Sequence, residues 1–352
     1  MIPRRAKAIR SSAIAVLLCL GWLGDGASVQ AAAEPLQRFV FEKAEMGLPF
    51  RITLYAPDEA QAKASAEAAF ARISALNAIL SDYDSDSELS RLSRTSGTGA
   101  TVPVSRDLWS VLAPAQALAE RTDGAFDVTV GPFVHLWRRA RRKQELPSAQ
   151  MIAEARARVG YRHFRLNESA RTAELLAPEM RLDLGAIAKG FAVDEALAVL
   201  RDRGLPHALI GGGGDMAAGE APPGEEGWRV EVAALDLAGA PPAQVVLLKN
   251  SAIATSGDVF QRVEIGGKRY SHIVDPRTGQ GLTDHGLVSV VAEKCITADS
   301  LATAISVLGQ LAGLELADTT PGVAAHIVRK PGDQLETASS GRWEAVPKLP
   351  LP

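Results

Sequence analysis

The sequence has little cysteine, no large excess of charge and no long hydrophobic run, and each absence excludes a class of protein. Cys19 and Cys295 are the two cysteines among 352 residues, which excludes a disulfide-stapled domain, and Cys295 is expected to be a packed residue between a strand and a helix. The net charge of −3 gives no overall basic character of the kind that binds nucleic acid. The apolar run from Ala13 to Leu20 is too short to span a membrane comfortably. The remaining composition, 47% hydrophobic and 22% charged, is that of a globular protein with ample core.

Residues 1–33 are predicted to form a secretory signal peptide. Basic residues between positions 4 and 10 precede the short apolar run, and small residues follow it up to candidate cleavage points at Ala31 and Ala33. An uncleaved anchor is the alternative, and Cys19 lacks the small preceding residue that is usual in a lipoprotein signal. We therefore expect an exported, periplasmic protein, with anchoring to the inner membrane as an open alternative.

The pattern of the mature chain favours an α+β fold, because short strands come in runs between helices rather than in strict alternation with them. The clearest amphipathic helix covers 57–80, and two strands flank Met46-Gly47. Further helices are predicted over 107–121, 186–203 and 297–308. We expect one catalytic domain over 34–335 and a peripheral, Pro-rich tail over 336–352.

Two glycine-rich stretches fail to match nucleotide-binding motifs. The stretch 185–190 is followed by Phe191-Ala192, where a P-loop requires Lys followed by Ser or Thr. The stretch 212–217 follows a predicted strand but lacks the helix that a dinucleotide fingerprint needs next. We interpret both as tight turns.

Residues His272 to Gly279 hold an imidazole, a carboxylate, a guanidinium and a hydroxyl within eight positions. Pro276 restricts the backbone on both sides of itself, and Gly279 permits a sharp exit. A binding or catalytic loop needs polar groups held rigidly in this way, although a plain surface turn could have the same residues.

Two helical segments offer groups for an anion and a cation. Lys189 lies in the first turn of a predicted helix, where it could contact a phosphate or be an ordinary surface lysine. Asp299 and Thr303 are four residues apart and share a helix face, so both could give oxygen to a hard cation such as Mg²⁺. The alternative for Asp299 is a helix N-cap with an incidental threonine. The basic run 137–143 is interpreted as a solvated face, with a docking surface for an acidic partner as the alternative.

Taken together, these segments resemble the ApbE family of FAD:protein FMN transferases. The resemblance runs from about Phe39 to Val328. It depends on the order and spacing of short motifs: Met46-Gly47, Ser81-Asp82-Tyr83, 122–127, 183–194, Gly213-Gly214-Asp215, 254–258, 272–279 and 298–304. Leu48, Val128 and Phe191 depart from the residues usual in the family, at positions that affect packing more than the metal ligands.

The resemblance implies a fold and a reaction. The fold would be ApbE-like and T-fold-related, with mixed sheets flanked by helices in a single catalytic unit. The reaction would be the Mg²⁺-dependent transfer of the FMN moiety of FAD to a Ser or Thr hydroxyl of an acceptor protein, as a phosphoester, with release of AMP. The acceptor would carry a Ser/Thr flavinylation motif and belong to a membrane redox complex, and no nucleic acid is expected as a partner.

The resemblance also implies roles for individual residues. Asp299, Thr303 and the carbonyl of Ala186 would bind Mg²⁺. The FAD site would be lined by Met46, Tyr83, Ala125, Phe126, Asp127, Asp183, Lys189 and Ile273. His272 would lie beside the reacting phosphate, where an imidazole is suited to accept the proton of the acceptor hydroxyl. Asp258 or Asp275 would orient it, and the sequence does not choose between them.

Two other functions remain open at this stage. One is a Mg²⁺-dependent FAD pyrophosphatase that uses water as acceptor and yields FMN and AMP. The other is a non-enzymatic, periplasmic flavin-binding protein, against which Lys189, His272, Asp299 and Thr303 argue.

Overall fold

The computed structural model describes residues 35–235, 244–257, 262–332 and 334–350. Residues from Leu36 onward form one unit, which agrees with a single catalytic unit. The predicted signal peptide and Asp258 lie outside the described residues.

The described helices and strands bear out most of the predicted elements. The helices are α1 (Glu59–Leu80), α2 (Glu88–Ser93), α3 (Arg106–Arg121), α4 (Gly131–Lys143), α5 (Ala149–Arg156), α6 (Ala188–Asp202), α7 (Cys295–Leu308) and α8 (Gln310–Asp318). The strands are β1 (Gln37–Glu45), β2 (Leu48–Ala56), β3 (Val102–Pro103), β4 (Phe164–Asn167), β5 (Thr172–Leu175), β6 (Ala208–Gly212), β7 (Asp215–Ala218), β8 (Trp228–Val232), β9 (Gln244–Leu248), β10 (Ser251–Gly257), β11 (Arg262–Ile265), β12 (Lys268–Ser271), β13 (Val274–Asp275), β14 (Gln280–Gly281), β15 (Gly286–Ala292), β16 (Ala324–Arg329), β17 (Glu336–Ser339) and β18 (Lys348–Leu349).

An eight-stranded sheet with the order β1-β2-β6-β7-β10-β15-β16-β17 organises the fold. Helices α1, α6 and α7 pack on one face, where their apolar side chains join those of the sheet in the main core. On the other face a second core, which includes Trp228, Val246 and Ile253, joins the sheet to the small sheet β18-β9-β8. The two packed faces explain why the central strand β15 reads as a nearly continuous apolar run.

The α+β fold class is therefore confirmed, with one refinement of strand direction. We expected mixed sheets. In the structure, every pairing between the named strands is antiparallel. A parallel bridge joins Val130 to Arg181. Beyond that bridge the segment 180–184 lies against the Val128–Gly131 loop and not in a sheet.

The prediction that the tail over 336–352 is peripheral is wrong. β17 is the edge strand of the main sheet, and Trp343 is buried with 1% of its surface exposed. Its ring stacks on His326 with centroids 5.1 Å apart and donates to the Gln244 side chain. The Pro-rich composition gave no indication of this packing. The buried ring of Trp343 stabilises the position of the segment.

Helix α7 is hydrophobic on most of its surface, and nine of its residues are buried. A helix of that kind belongs inside a protein, between other elements. No helix in the described ranges is both long enough and apolar enough to cross a membrane.

Candidate active site

A lysine held between two buried carboxylates forms the centre of the site. The Nζ atom of Lys189, at the start of α6, lies 3.2 Å from each carboxylate oxygen of Asp299 on α7. The same atom lies 3.0 Å from Oδ2 of Asp215, the first residue of β7, and donates to the Gly185 carbonyl at 3.1 Å. The site thus joins two helices and a strand that are distant in sequence. We name Lys189, Asp215 and Asp299 the lysine cluster.

The lysine cluster is electrostatically unusual. Burial acts to lower the pKa of Lys189, but the charges of Asp215 and Asp299 outweigh it and raise the pKa above its ordinary value. Burial, reinforced by the charge of Asp299, raises the pKa of Asp215 to about 7, against the opposing effect of Lys189. Lys189 therefore stays cationic at neutral pH.

Asp299 is not a helix cap, which removes the alternative interpretation of this residue. α7 begins at Cys295, so Asp299 lies inside the helix, and one of its oxygens accepts from the Gly190 amide at 3.1 Å. The cap comes instead from Asp194 on α6, which accepts from the amides of Cys295 and Ile296 at 2.8 and 2.9 Å. This contact fixes α7 against α6.

Thr303 lies one turn beyond Asp299, on the same face of α7. Its hydroxyl lies 3.2 Å from the hydroxyl of Ser256 near the end of β10. Ser256 is followed by Gly257 and then by Asp258, which lies outside the described residues. The structure thus places the 254–257 motif beside the predicted metal ligands.

The oxygen atoms gathered here fit a hard cation. Asp299 and Asp215 offer carboxylates, Thr303 offers a hydroxyl, and Ala186 directly follows the carbonyl that accepts from Lys189. The contact of Lys189 with Asp215 is an ion pair without hydrogen-bond geometry, so no donor in the described chain is aimed at Oδ2 of that buried carboxylate. The Lys189 ammonium occupies the position of a cation among these oxygens. Among the described residues, no group of three or more His, Cys, Asp and Glu side chains is placed to hold a metal ion.

A second polar group, centred on Arg138 of α4, lies beside the lysine cluster. Arg138 pairs with Asp82 and, at 2.9 Å, with Asp183, and its guanidinium stacks 4.1 Å from the centroid of the Tyr83 ring. Asp183 also accepts from the Gly185 amide at 2.8 Å, so Gly185 links the two groups. Burial and the charge of Asp82 raise the pKa of Asp183, while Arg138 opposes that shift.

Arg138 is a residue that our sequence interpretation misplaced, since it belongs to the run predicted to be a solvated face. The run lies in α4, whose buried stripe includes Phe133, Trp137 and Ala140. Arg138 borders that stripe and is partly buried, whereas Arg139 and Arg142 are exposed. The helical spacing of 133, 137 and 140 was the signal that could have located it.

An apolar contact joins the other predicted loops to α7. Ala125, Ile273 and Val307 form one small buried cluster, and the indole of Trp137 donates to the Gly279 carbonyl at 2.9 Å. The predicted flavin-binding segments 125–127 and 272–279 are thereby held at the same end of α7. A small pocket of about 60 Å³, lined by Ile273, Gly257 and Ser306 among others, opens here.

The predicted flavin-contacting residues differ in what they can offer to a ligand. Tyr83 is 78% exposed, so its ring is accessible to a planar group. Ala125 and Phe126 are buried, and the Asp127 carboxylate is bound to the amide and hydroxyl of Thr129, so these three have mainly backbone atoms to offer. Met46 lies in the β1–β2 turn with a φ of 49°.

His272 is exposed on the loop between β12 and β13, and Asp275 follows on the same loop. Both carboxylate oxygens of Asp275 are bound to the Arg277 side chain at 3.0 Å, and one also accepts from the Arg277 amide. Asp275 therefore stabilises its own turn, and Asp258, the other residue predicted to orient His272, lies outside the described residues.

Another cleft, of about 220 Å³, lies between α4 and α5 and is lined by residues such as His135, Arg158 and Arg181. None of the predicted site residues lines it. The buried charged groups of the lysine cluster lie instead at the junction of α6, α7 and β7.

Comparison with known proteins gives a consistent result. The model of the ApbE family matches residues 46–327. A Haemophilus influenzae protein named FAD:protein FMN transferase is 32% identical over 277 residues, which cover 77% of this chain and 80% of that protein. A Klebsiella pneumoniae protein of the same name is 31% identical over 336 residues, which cover 92% of this chain and 94% of that protein.

Two solved structures of flavin transferases are also similar to this chain. The flavin transferase ApbE from Vibrio cholerae is similar with a TM-score of 0.79 and 29% identity, covering 89% of this chain and 100% of that chain. The flavinyl transferase ApbE of Pseudomonas stutzeri, in its apo form, has a TM-score of 0.77 and 29% identity, covering 88% and 97% of the two chains.

Proposed function

The chain belongs to the ApbE family, and from that premise we propose that it transfers the FMN moiety of FAD to an acceptor protein. Its curated relatives are transferases, and it is a transferase too. The finer part of the proposal is that the acceptor atom is a Ser or Thr hydroxyl oxygen. That oxygen forms a phosphoester with the FMN phosphorus, AMP leaves, and Mg²⁺ is required.

One observation carries this proposal: a charged lysine, two buried carboxylates and a threonine hydroxyl meet where α6, α7 and β7 join. This set of groups suits the binding of a pyrophosphate together with a divalent cation, because the lysine can attract anionic oxygens while Asp299 and Thr303 can offer oxygen to the metal. A protein that only binds flavin has no need for such a costly arrangement of buried charges.

Asp299, Thr303 and the Ala186 carbonyl would hold Mg²⁺, which supplies charge neutralisation to the pyrophosphate and to the departing AMP. Lys189 would contact a phosphate oxygen with an ammonium group that its neighbours keep protonated. Tyr83, stacked on Arg138, would offer its exposed ring to an aromatic system of FAD. These residues bind and orient the substrate.

His272 would accept the proton of the acceptor hydroxyl as that oxygen attacks phosphorus. It is exposed on a loop that Trp137 and the Ala125–Ile273–Val307 contact hold at the end of α7. An exposed imidazole can meet a protein acceptor, and imidazole is the side chain most often used as a general base.

The competing function is FAD hydrolysis with the same ligands and water as acceptor. The two reactions differ in where the flavin ends. We would incubate the full chain with FAD, Mg²⁺ and the envelope fraction of its native cell, and measure AMP, free FMN and protein-bound flavin. Transfer predicts that protein-bound flavin matches AMP, whereas free FMN equal to AMP would establish a pyrophosphatase.

We also propose that the protein acts outside the cytoplasm, because residues 1–33 have the order of a signal peptide. The membrane redox protein proposed as acceptor is what the family resemblance implies. The mature protein from the native envelope should begin near residue 32 or 34. Recovery of protein that still carries Met1 would contradict cleavage, and labelled fatty acid on Cys19 would establish a lipoprotein.

A further inference from the structure

Asp215 is not among the residues assigned above to Mg²⁺ or FAD, although the residue is only 2% exposed. It begins β7, where its backbone pairs with Gly212 and Ala254, in the middle of the main sheet. Burying a carboxylate without a partner costs free energy of folding, so we expect a buried carboxylate to be paired. The partner that it has is Lys189.

In the structure Lys189 holds the oxygens that a metal would need. Its ammonium lies 3.2 Å from both oxygens of Asp299 and 3.1 Å from the Gly185 carbonyl. Mg²⁺ binds its ligands at about 2.1 Å, and two cations on one buried carboxylate repel each other strongly. A Mg²⁺ ion bound to Asp299 would therefore compete with Lys189 for these oxygens.

We propose that Asp215 is a positioning residue that keeps Lys189 in the site when Mg²⁺ takes over Asp299. The ammonium already lies 3.0 Å from Asp215, so it can leave one carboxylate without losing the other. Lys189 then stays charged beside the metal, where a phosphate oxygen of the substrate can accept from it. This inference rests on the proposed function, because it takes Asp299 as the Mg²⁺ ligand.

The proposal predicts a specific loss in Asp215→Asn. Lys189 would keep Asp299 as its single carboxylate partner, and Mg²⁺ would have to displace it from there. We expect Mg²⁺ to bind at least tenfold more weakly, within the range of 10- to 100-fold that is typical for residues supporting a metal site. Asp202→Asn, at the exposed end of α6, makes the same change of charge and should leave Mg²⁺ affinity unchanged.

A double-mutant cycle separates this role from a direct attraction of Mg²⁺ by the charge of Asp215. Lys189→Gln removes the ammonium and keeps donors for both carboxylates, and it is combined with Asp215→Asn. If Asp215 acts through Lys189, adding Asp215→Asn to Lys189→Gln changes Mg²⁺ affinity less than twofold. If Asp215 acts on the metal by its own charge, the loss is equally large in both backgrounds, and the proposal is overturned.

The measurement is calorimetric titration of Mg²⁺ into the full chain without FAD, with melting curves for each variant. Lys189→Met replaces Lys189→Gln in the cycle if the glutamine variant does not fold. An Asp215→Asn protein that binds Mg²⁺ within twofold of wild type would also overturn the proposal. Wild type that binds no Mg²⁺ would overturn the metal assignment of the proposed function as well, so the two failures are distinguishable.

Discussion

Asp299 lies inside α7 and not at its first turn, so the helix makes no use of its carboxylate as a cap. Together with Thr303 it gives α7 a polar strip that contacts Lys189 and Ser256. A polar strip on a helix that is otherwise buried is difficult to explain by folding alone, because buried polar groups are costly unless they are used. The strip is the strongest indication of function at the scale of single residues.

Asp299→Ala should abolish Mg²⁺-dependent release of AMP from FAD and leave the protein folded. Thr303→Val should reduce the rate more mildly, because it removes one oxygen ligand at constant shape. Ser300→Ala is the matched control, since the Ser300 hydroxyl donates to the carbonyl of Ile296 within the same helix. Wild-type turnover by Asp299→Ala with Mg²⁺, and none with chelator, would show that another residue holds the metal.

His272→Ala should lose about 10²- to 10⁴-fold in the rate of transfer, the usual contribution of a general base, while FAD affinity changes little. If His272 only supports the turn at Asp275, FAD binding and melting temperature should fall together with the rate. FAD affinity, melting temperature and rate are to be measured on one preparation. Full transfer with intact FAD binding would remove His272 from the mechanism.

The residues of the site were predictable where a local pattern signalled them. Asp299 and Thr303 could be found because they lie one helical turn apart, and Lys189 because it begins a helix after a glycine turn. Asp215 and Arg138 could not be assigned roles, because their partners are far away in sequence. Only the packing of β7 on α6, and of α4 on the Asp183 segment, brings those partners together.

At the scale of elements, α6 and α7 act as one support, since each supplies part of the lysine cluster. Asp194 joins them by accepting from the first two amides of α7. Burial raises the pKa of Asp194 to about 6, because the ionised carboxylate loses water that the two amides replace only in part. The junction is therefore sensitive to pH.

The sign of that sensitivity follows from linkage. The folded pKa of Asp194, about 6, lies above the ordinary value of 3.8, so the folded state retains a proton that the unfolded state loses between these values. The protonated Asp194 carboxyl makes its full contribution to the free energy of unfolding below about pH 4. That contribution declines until about pH 6. Asp194→Asn cannot titrate. The wild type should therefore lose stability relative to Asp194→Asn as pH rises from 4 to 6, with no further change above 7.

Urea unfolding of both proteins at each pH measures this difference. Asp202→Asn, at the exposed end of the same helix, is the control. A difference between wild type and Asp194→Asn that stays flat from pH 4 to 7, or that rises, would show that the Asp194 carboxyl is ionised throughout.

Helices and strands with a regular spacing of apolar residues were predicted well. Elements that depend on contacts between distant parts of the chain were not. α1, α3 and α7 were found to within a few residues, as were the strands around Met46-Gly47. α4 was missed because its buried stripe is short and is followed by a run of basic residues. The main sheet pairs strands as far apart as β2 and β6, and no local pattern reveals such a neighbour.

At the scale of the whole molecule, the C-terminal segment completes the sheet opposite the helical layer. Trp343, His326 and Gln244 join β18, β16 and β9 into one packed group. The catalytic unit therefore extends to at least residue 349 and does not end near 335.

Trp343→Ala should lower the free energy of unfolding by about 3–5 kcal/mol, because it leaves a large cavity in the second core. Leu311→Ala is the control, since Leu311 is 86% exposed and should change stability very little. Denaturant unfolding measures both, and Mg²⁺ affinity should be preserved in both because the lysine cluster lies on the other face of the sheet. A Trp343→Ala protein as stable as wild type would contradict the packed role of this segment.

The proposed function requires that flavin ends on a protein hydroxyl. The direct measurement is mass spectrometry of the peptides of a flavin-labelled acceptor, isolated after incubation of the full chain with FAD, Mg²⁺ and the native envelope fraction. The account predicts one Ser or Thr that carries FMN through a phosphoester, and loss of labelling when that residue is changed to Ala or when Asp299→Ala replaces the wild type. Free FMN and AMP with no modified residue would contradict it and leave a pyrophosphatase.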